Sequence, residues 1–306
     1  MSDDAVDALV DDLADGLESD VVQEHEHAEL IEEIISIARE DAARDGLLFF
    51  DLETIPNEEL FPRPDIAEPS DQSAAISEFF NDKKNTVDGV KAILQSVPTD
   101  ENIELMLQLE RDGKARKGVF DAIESFQKSL TEEFDKWSKL ALNPIACRIV
   151  AIGWAIGDGD VRAFGVPPDF DIERAILSAW WELFGRSNHR KHCGFNQVAF
   201  DAQVIGFRSV SLGVRPKRSL DRRKYGNPQA VDVYQMLFPQ GSPGGCDCKS
   251  ICRSLGIEIP AGDMDGSQVL GLVDIGDFDR LTEYVASDVT VERELFYRTA
   301  DTFGHD

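Results

Sequence analysis

The sequence predicts an α/β fold, a mixed sheet with helices on both faces. Three observations carry that expectation. Leu47-Leu48-Phe49-Phe50 is a continuous apolar run with two aromatic rings, the composition of a buried strand. Cys147 to Ile156 is a second, longer apolar strand; Gly157-Asp158-Gly159-Asp160 reads as a hairpin-type turn and Val161 to Val166 as the returning strand. Shorter strands then alternate with helix-period segments, which calls for helices packed over a sheet.

In chain order, residues 1–20 mix Asp with Ala, Val and Leu and read as weak helix or disorder. Glu24 to Ala43 is a better helix, with an apolar stripe of Leu30, Ile31, Ile34, Ile35 and Ile37. His25 and His27 would point apart on it and read as solvated. After the first strand comes a loop punctuated by Pro56, Pro62, Pro64 and Pro69. Residues 71–140 are charged and helical, with periodic positions such as Ile76, Phe79, Val90, Ile93, Leu94, Phe120, Ile123, Phe126, Leu130 and Trp137. Beyond the hairpin, Asp171 to Phe184 is a helix, His192 to Phe195 a short strand, and a helix starts near Phe200. Residues 231–233 form another short apolar segment, Cys248–Leu255 and Gly266–Val273 short helices, and Asp277–Phe303 a long terminal helical region. The organisation expected is an acidic N-terminal extension over 1–46 and one domain over 47–306, of which 57–142 is largely a helical insertion.

Composition bounds the function classes. With 42% hydrophobic residues, the 306-residue chain can fill a core. No stretch approaches the roughly 18 consecutive apolar residues of a membrane helix, and the acidic N-terminus lacks the apolar core of a signal peptide. A cytoplasmic protein without a membrane partner is the expectation. Five cysteines, an odd number, do not suggest a disulfide framework. The formal charge is −27, and residues 1–46 hold 16 acidic and 2 basic residues. That excess argues against a general affinity for nucleic acid. It leaves room for a local basic groove: residues 186–224 hold ten Lys or Arg (186, 190, 191, 208, 215, 217, 218, 222, 223, 224) against Asp201 and Asp221. Phosphate contacts explain such a cluster; a solvated loop is the plainer alternative. The acidic extension reads as a solubilising segment, a mimic of nucleic acid or a docking arm for a protein partner.

Three short stretches carry candidate chemistry. In Phe50-Asp51-Leu52-Glu53 the side chains alternate faces, so Asp51 and Glu53 share one. A hard divalent cation relieves two like charges held that close; a strand running into an acidic loop is the alternative. In Asn196-Gln197-Val198-Ala199-Phe200-Asp201 a strand gives way to a helix, where Asp201 could equally be a helix-terminus charge. Tyr284 and Asp288 are four apart in helical sequence and face one way. Cys246, Cys248 and Cys252 are three ligands without a nearby His, one short of a structural zinc set.

Taken in order, Asp51-x-Glu53, Asn196-x-x-x-Phe200-Asp201 and Tyr284-x-x-x-Asp288 resemble the three exonuclease motifs of the DEDD 3′–5′ exonuclease superfamily, and the tyrosine places the resemblance in the DEDDy branch. Phe50-Asp51-Leu52-Glu53-Thr54-Ile55-Pro56, Arg148-Ile149-Val150-Ala151-Ile152-Gly153 and Gly262-Asp263-Met264-Asp265-Gly266-Ser267-Gln268-Val269 are similar to stand-alone predicted exonucleases related to the family B DNA polymerase exonuclease domain. The resemblance covers 47–56 and about 143–300.

It implies a ribonuclease H-like mixed five-stranded sheet and phosphodiester hydrolysis with two divalent cations, Mg2+ or Mn2+, about 4 Å apart. By the same resemblance Asp51 touches both ions, Glu53 and Asp288 hold one, Asp201 supports the other, and Tyr284 orients the attacking water. A phenol with a pKa of about 10 suits a neutral orienting role. Asn196 is expected to bind the terminal nucleotide or the motif backbone, and Phe200 to fill the core under the site or stack on a base. Arg215, Lys217, Arg218, Arg222, Arg223 and Lys224 are the expected phosphate contacts. The expected activity is 3′–5′ digestion of a single-stranded or frayed 3′ end, with DNA preferred by resemblance. An exoribonuclease on the same site and a catalytically silent nucleic-acid-binding module are the alternatives.

Overall fold

The computed structural model describes residues 24–64, 73–81, 85–96, 100–186, 190–240 and 246–303. Residues 1–23, Pro69 and His305 among others lie outside them, and with them the expectation of weak helix or disorder over 1–20. The chain divides into two compact units, one running to Ile55 and resuming at Ala141, the other Pro56–Leu140.

The first unit is an α/β structure built on a mixed sheet. Its strands are β1 (Leu48–Pro56), β2 (Cys147–Ile156), β3 (Arg162–Gly165), β4 (His192–Gly194) and β5 (Ala230–Asp232). The strand order is β3-β2-β1-β4-β5, so β1 is central. β1 and β4 pair in parallel, as do β4 and β5, whereas β2 and β3 are antiparallel. The Gly157 N–H donates to the Leu47 carbonyl at 2.9 Å, which sets the end of β2 beside the start of β1. The helices are α1 (24–41), α2 (Ser73–Asn81), α3 (Val87–Ser96), α4 (Asp100–Asp112), α5 (Lys117–Ser138), α6 (Phe170–Gly185), α7 (Asp201–Ser211), α8 (Val233–Leu237), α9 (Cys248–Leu255), α10 (Val269–Asp274) and α11 (Phe278–Phe303). None of them is long and apolar enough to cross a membrane.

The alternation along β1 decides what each face does. Leu48, Phe50 and Leu52 point to one side and pack with Ile34 and Ala38 of α1, Ile176 and Trp180 of α6, and Val204 and Ile205 of α7. On the other side Phe49 joins Cys193, Cys252, Val289 and Leu295. Further along that side, Ile55 joins Val150, Leu281, Tyr284 and Val285. Asp51 and Glu53 stand between Phe49 and Ile55, so the two acids interrupt the apolar surface beneath α11. Contrary to the sequence expectation, the strand does not stop at the acids. It runs on to Pro56, with the Thr54 hydroxyl donating to the Ala141 carbonyl at 2.7 Å.

The acidic extension also needs correction. Its helical half, α1, buries Ile34 and Ala38 completely against the sheet. Asp41 at its end accepts a hydrogen bond from the Trp154 indole at 3.1 Å. One face of this helix therefore packs into the core of the first unit. The second unit comprises α2 to α5 and has a core of its own, formed by Ile76, Val90, Leu94, Ile103, Met106, Val119 and Ile123. Its buried Glu110 is held by Arg116 at 2.8 Å.

α11 lies unusually close to the sheet. A Cβ at Gly153 would stand 2.8 Å from Val289 Cγ2 and 3.0 Å from the Val285 carbonyl. Gly153→Ala is therefore expected to lower stability by about 1–3 kcal/mol, the usual cost of overpacking. Gly271→Ala, in α10 with open space around it, is expected to gain roughly 0.5–1 kcal/mol from helix propensity. Urea denaturation midpoints of the two variants check the contrast.

Candidate metal centre

The interruption on the α11 face gathers acids from distant parts of the chain. Carboxylate oxygens of Asp51 and Glu53 on β1 and of Asp288 on α11 lie within 4.8 Å of one another. Asp201, at the first turn of α7 and 6% exposed, joins them through a hydrogen bond from the Leu52 backbone N–H. Tyr284, one turn before Asp288, is buried and donates its hydroxyl to the Asp288 carboxylate. Three of the four acids predicted from the sequence thus share one gap, with Asp201 tied to the same strand and Tyr284 to Asp288.

Two further groups enter that sequence reasoning missed. Lys249 on α9 sits 3.2 Å from Asp288 Oδ1, donates to the Met264 carbonyl at 2.6 Å, and places its ammonium 4.3 Å from the centre of the Tyr284 ring. No pattern singles out one lysine among the cysteines of that stretch. Glu292 follows Asp288 by four residues on the same face of α11 and is buried. Its signal was available, because the spacing that pairs Tyr284 with Asp288 extends one turn further.

Burial dominates the electrostatics. It pushes Asp51 and Glu53 well above the carboxylate range, and the charges of neighbouring acids push the same way. Burial raises Asp201 to about 7, against which its backbone donors act. Asp288 is raised too, by burial first, with Lys249 and the Tyr284 hydroxyl opposing. Burial and the same acids push the Tyr284 phenol upward, so it stays protonated and serves as a donor. A set of hard carboxylate oxygens, crowded and short of positive charge, fits a divalent cation of the magnesium or manganese type. Asp51, Glu53 and Asp288 could hold such an ion.

The remaining predicted residues are placed as follows. Asn196 is exposed, in the left-handed region with φ 59°, and its N–H donates to Asp232 Oδ1 at 3.1 Å. Phe200 precedes α7 and its half-buried ring packs against the cluster on the α6 side of the sheet, a core-filling position. Of the ten basic residues in 186–224, two are buried and cannot face a phosphate backbone. Arg208 makes a two-pronged pair with Glu173 at 2.7 and 2.6 Å, and Arg190 donates to the carbonyls of Leu183 and Arg44. Arg218 stacks over Phe184 at 4.2 Å. Lys217 pairs with Glu182 and Arg223 with Asp221 at the surface. Arg215, Arg222 and Lys224 are exposed.

No protein-family model matches the chain, and no solved structure matches it. Over 132 residues it is 34% identical to the uncharacterized protein MJ0365 of Methanocaldococcus jannaschii; the stretch takes in 42% of this chain and 68% of that protein.

The burial of the acids has a consequence for stability. Between the ordinary aspartate value of 3.8 and its folded value of about 7, Asp201 retains a proton that the unfolded chain has released. The folded state then binds more protons, so the stability of the cation-free protein is expected to fall as pH rises through that window. Thermal midpoints in chelator from pH 4.5 to 7.5 check this. Asp201→Asn should flatten the decline, and added Mg2+ should raise the midpoint more at pH 7.5 than at pH 4.5.

Proposed function

We propose that this chain, which belongs to the same family as the uncharacterized protein MJ0365, is a cation-dependent 3′–5′ exonuclease that hydrolyses phosphodiester bonds at the 3′ end of DNA. One observation carries the reading. Asp51 and Glu53, Asp201, and Tyr284 with Asp288, drawn from three stretches that the sequence separates by more than 80 residues, converge on a single carboxylate cluster. The strand order β3-β2-β1-β4-β5, with β2 and β3 antiparallel and the rest parallel, supports a ribonuclease H-like assignment for the first unit.

In this reading Asp51 is the shared acid; its carboxylate lies within 4.8 Å of those of Glu53 and Asp288. Glu53 and Asp288 would hold one cation with it, and Asp201, braced by the Leu52 N–H, would support the other. A pair of divalent cations, once bound, neutralises the attacking and leaving oxygens of an in-line displacement. Tyr284 remains a phenol whose hydroxyl donates to Asp288, and its oxygen would be left to accept from an attacking water beside that acid. Its neutral state suits orientation of water and not abstraction of a proton. Lys249 keeps one positive charge beside Asp288, fixed by the Met264 carbonyl and the Tyr284 ring face. Exposed Arg215, Arg222 and Lys224 are the remaining candidates for backbone phosphates, and such contacts carry no preference between DNA and RNA.

The test is digestion of 5′-labelled DNA and RNA oligomers, with free and blocked 3′ ends, in Mg2+ or Mn2+ and in chelator. Wild-type protein is expected to shorten DNA from a free 3′ end only, and only with the cation. Asp51→Asn should lower the rate roughly a thousandfold or more, since several kcal/mol of charge stabilisation is lost. Tyr284→Phe should cost roughly a hundredfold, the lower end of what a positioned acid–base group contributes, while leaving Mn2+ binding intact. Faster digestion of RNA would reassign the substrate, and full activity of Asp51→Asn would end the proposal.

A further inference from the structure

Glu292 is 6% exposed, and it is held differently from the buried Glu173 and Asp232. Glu173 is met by Arg208 and Arg148. Asp232 accepts from the N–H groups of Asn196, Val198 and Gln235 and from the Gln235 side chain. Glu292 has the Phe195 N–H on its carboxylate, but its Oε2 atom is buried with no hydrogen-bond partner. No guanidinium or ammonium pairs with it among the described residues. Leaving a buried carboxylate oxygen in that state is costly.

Its position is set by two features. Tyr284, Asp288 and Glu292 succeed one another at intervals of four along α11, so all three side chains descend on the same strip of the sheet. Gly194, at the end of β4, leaves the room: a Cβ there would stand 2.9 Å from Glu292 Oε2. Among the carboxylates around Asp51, Glu292 bears on it most strongly, and Glu292 in turn feels Asp201 and Asp288. Its carboxylate is not part of the tight group that Asp51 makes with Glu53 and Asp288. The charges also close. Five carboxylates and the Lys249 ammonium leave four negative charges, which two divalent ions match.

We infer that Glu292 is a fifth acid of the metal centre and that it acts on a second cation, shared with Asp51 and Asp201, directly or through water in that ion's shell. Mg2+ and Mn2+ suit this looser side because they keep several waters. The inference rests on the two-cation reading above, and the experiment separates the two.

Cation-free full-length protein is titrated with Mn2+ alone, with free Mn2+ followed by its spin-resonance signal and heat followed in parallel. The wild type is expected to take up two ions and to show the coupled spectrum of a close Mn2+ pair. Glu292→Gln should keep one ion at wild-type affinity and weaken the other roughly 10–100-fold, the usual effect of removing an acid around a metal. Asp201→Asn should weaken the same ion, and Glu53→Gln the other one. Gly194→Ala, which retains all five acids but crowds Oε2, should weaken the second ion as well; it keeps the inference testable if Glu292→Gln does not fold. Two ions bound with unchanged affinity in Glu292→Gln, or in Gly194→Ala in its place, would overturn the inference. One ion in the wild type would overturn it too, while leaving a metal site at Asp51, Glu53 and Asp288. No ion in the wild type would instead overturn the exonuclease reading.

Discussion

Mutual repulsion among desolvated carboxylates is the constraint around which the first unit is arranged. Asp201 and Glu292 are buried and Asp51, Glu53 and Asp288 half-buried, and neighbouring acids raise the cost of ionising one another. A single ammonium, Lys249, offsets part of that. Elsewhere the same molecule treats a buried acid in the ordinary way, by matching Glu173 with the fork of Arg208. The cluster is held together by what surrounds it. β1 is the middle strand, clamped between β2 and β4, and α11 is pressed onto the sheet at Gly153. Two apolar clusters, one around Phe49 and one around Ile55, flank the acids on either side. Apolar burial at both ends supplies the favourable term against which the acids are kept close.

The second constraint is that the acids come from elements that meet only through the loops joining them. Asp232, at the end of β5, is a structural acid in this sense. Its carboxylate gathers the N–H groups of Asn196 and Val198, fixes the turn after β4, and so aims the start of α7 at β1. Asn196 takes a left-handed conformation there, which asparagine tolerates better than most residues. Gln197 ties the turn to the sheet by donating to the His192 and Val231 carbonyls. The outcome is that Asp201 reaches the Leu52 N–H across the strand.

Much of this architecture is written locally. The apolar runs over Leu47–Phe50 and Cys147–Ile156, the turn at Gly157-Asp158-Gly159-Asp160 and the periodic stripe of the terminal helix each follow from side-chain spacing, and each recurs as an element of the fold. Asp51 with Glu53, and Tyr284 with Asp288, are legible because both members of each pair lie on one strand or one helix. Lys249 was not, because only the packing of α9 against α11 brings it to Asp288. Glu292 differs: it continues the four-residue interval of Tyr284 and Asp288 on α11, so its place on that face is legible from spacing. The buried Arg190 and Arg208 show the limit of counting charges, since nothing in their neighbourhood distinguishes a cation bound for Glu173 from one facing solvent. The N-terminal helix shows the limit of composition. Its acids suggested an appendage, while its Ile34 and Ala38 insert it into the core.

These placements change how an acidic protein could engage a polyanion. With Arg190 and Arg208 interior, Arg218 stacked on Phe184, and Lys217 and Arg223 paired with Glu182 and Asp221, half of the basic excess over 186–224 is committed within the chain. The field around a chain of −27 then repels a phosphate backbone at long range. On the proposed reading, attraction would come from short range, where a few exposed bases and cations held by the acidic centre would act together. In such an arrangement the acids that bind the cations also decide whether the substrate can approach at all. On the proposed reading, cations filling the centre would offset whatever negative charge its acids carry. On that reading, substrate approach and hydrolysis would both depend on one electrostatic event, the filling of the gap between Phe49 and Ile55.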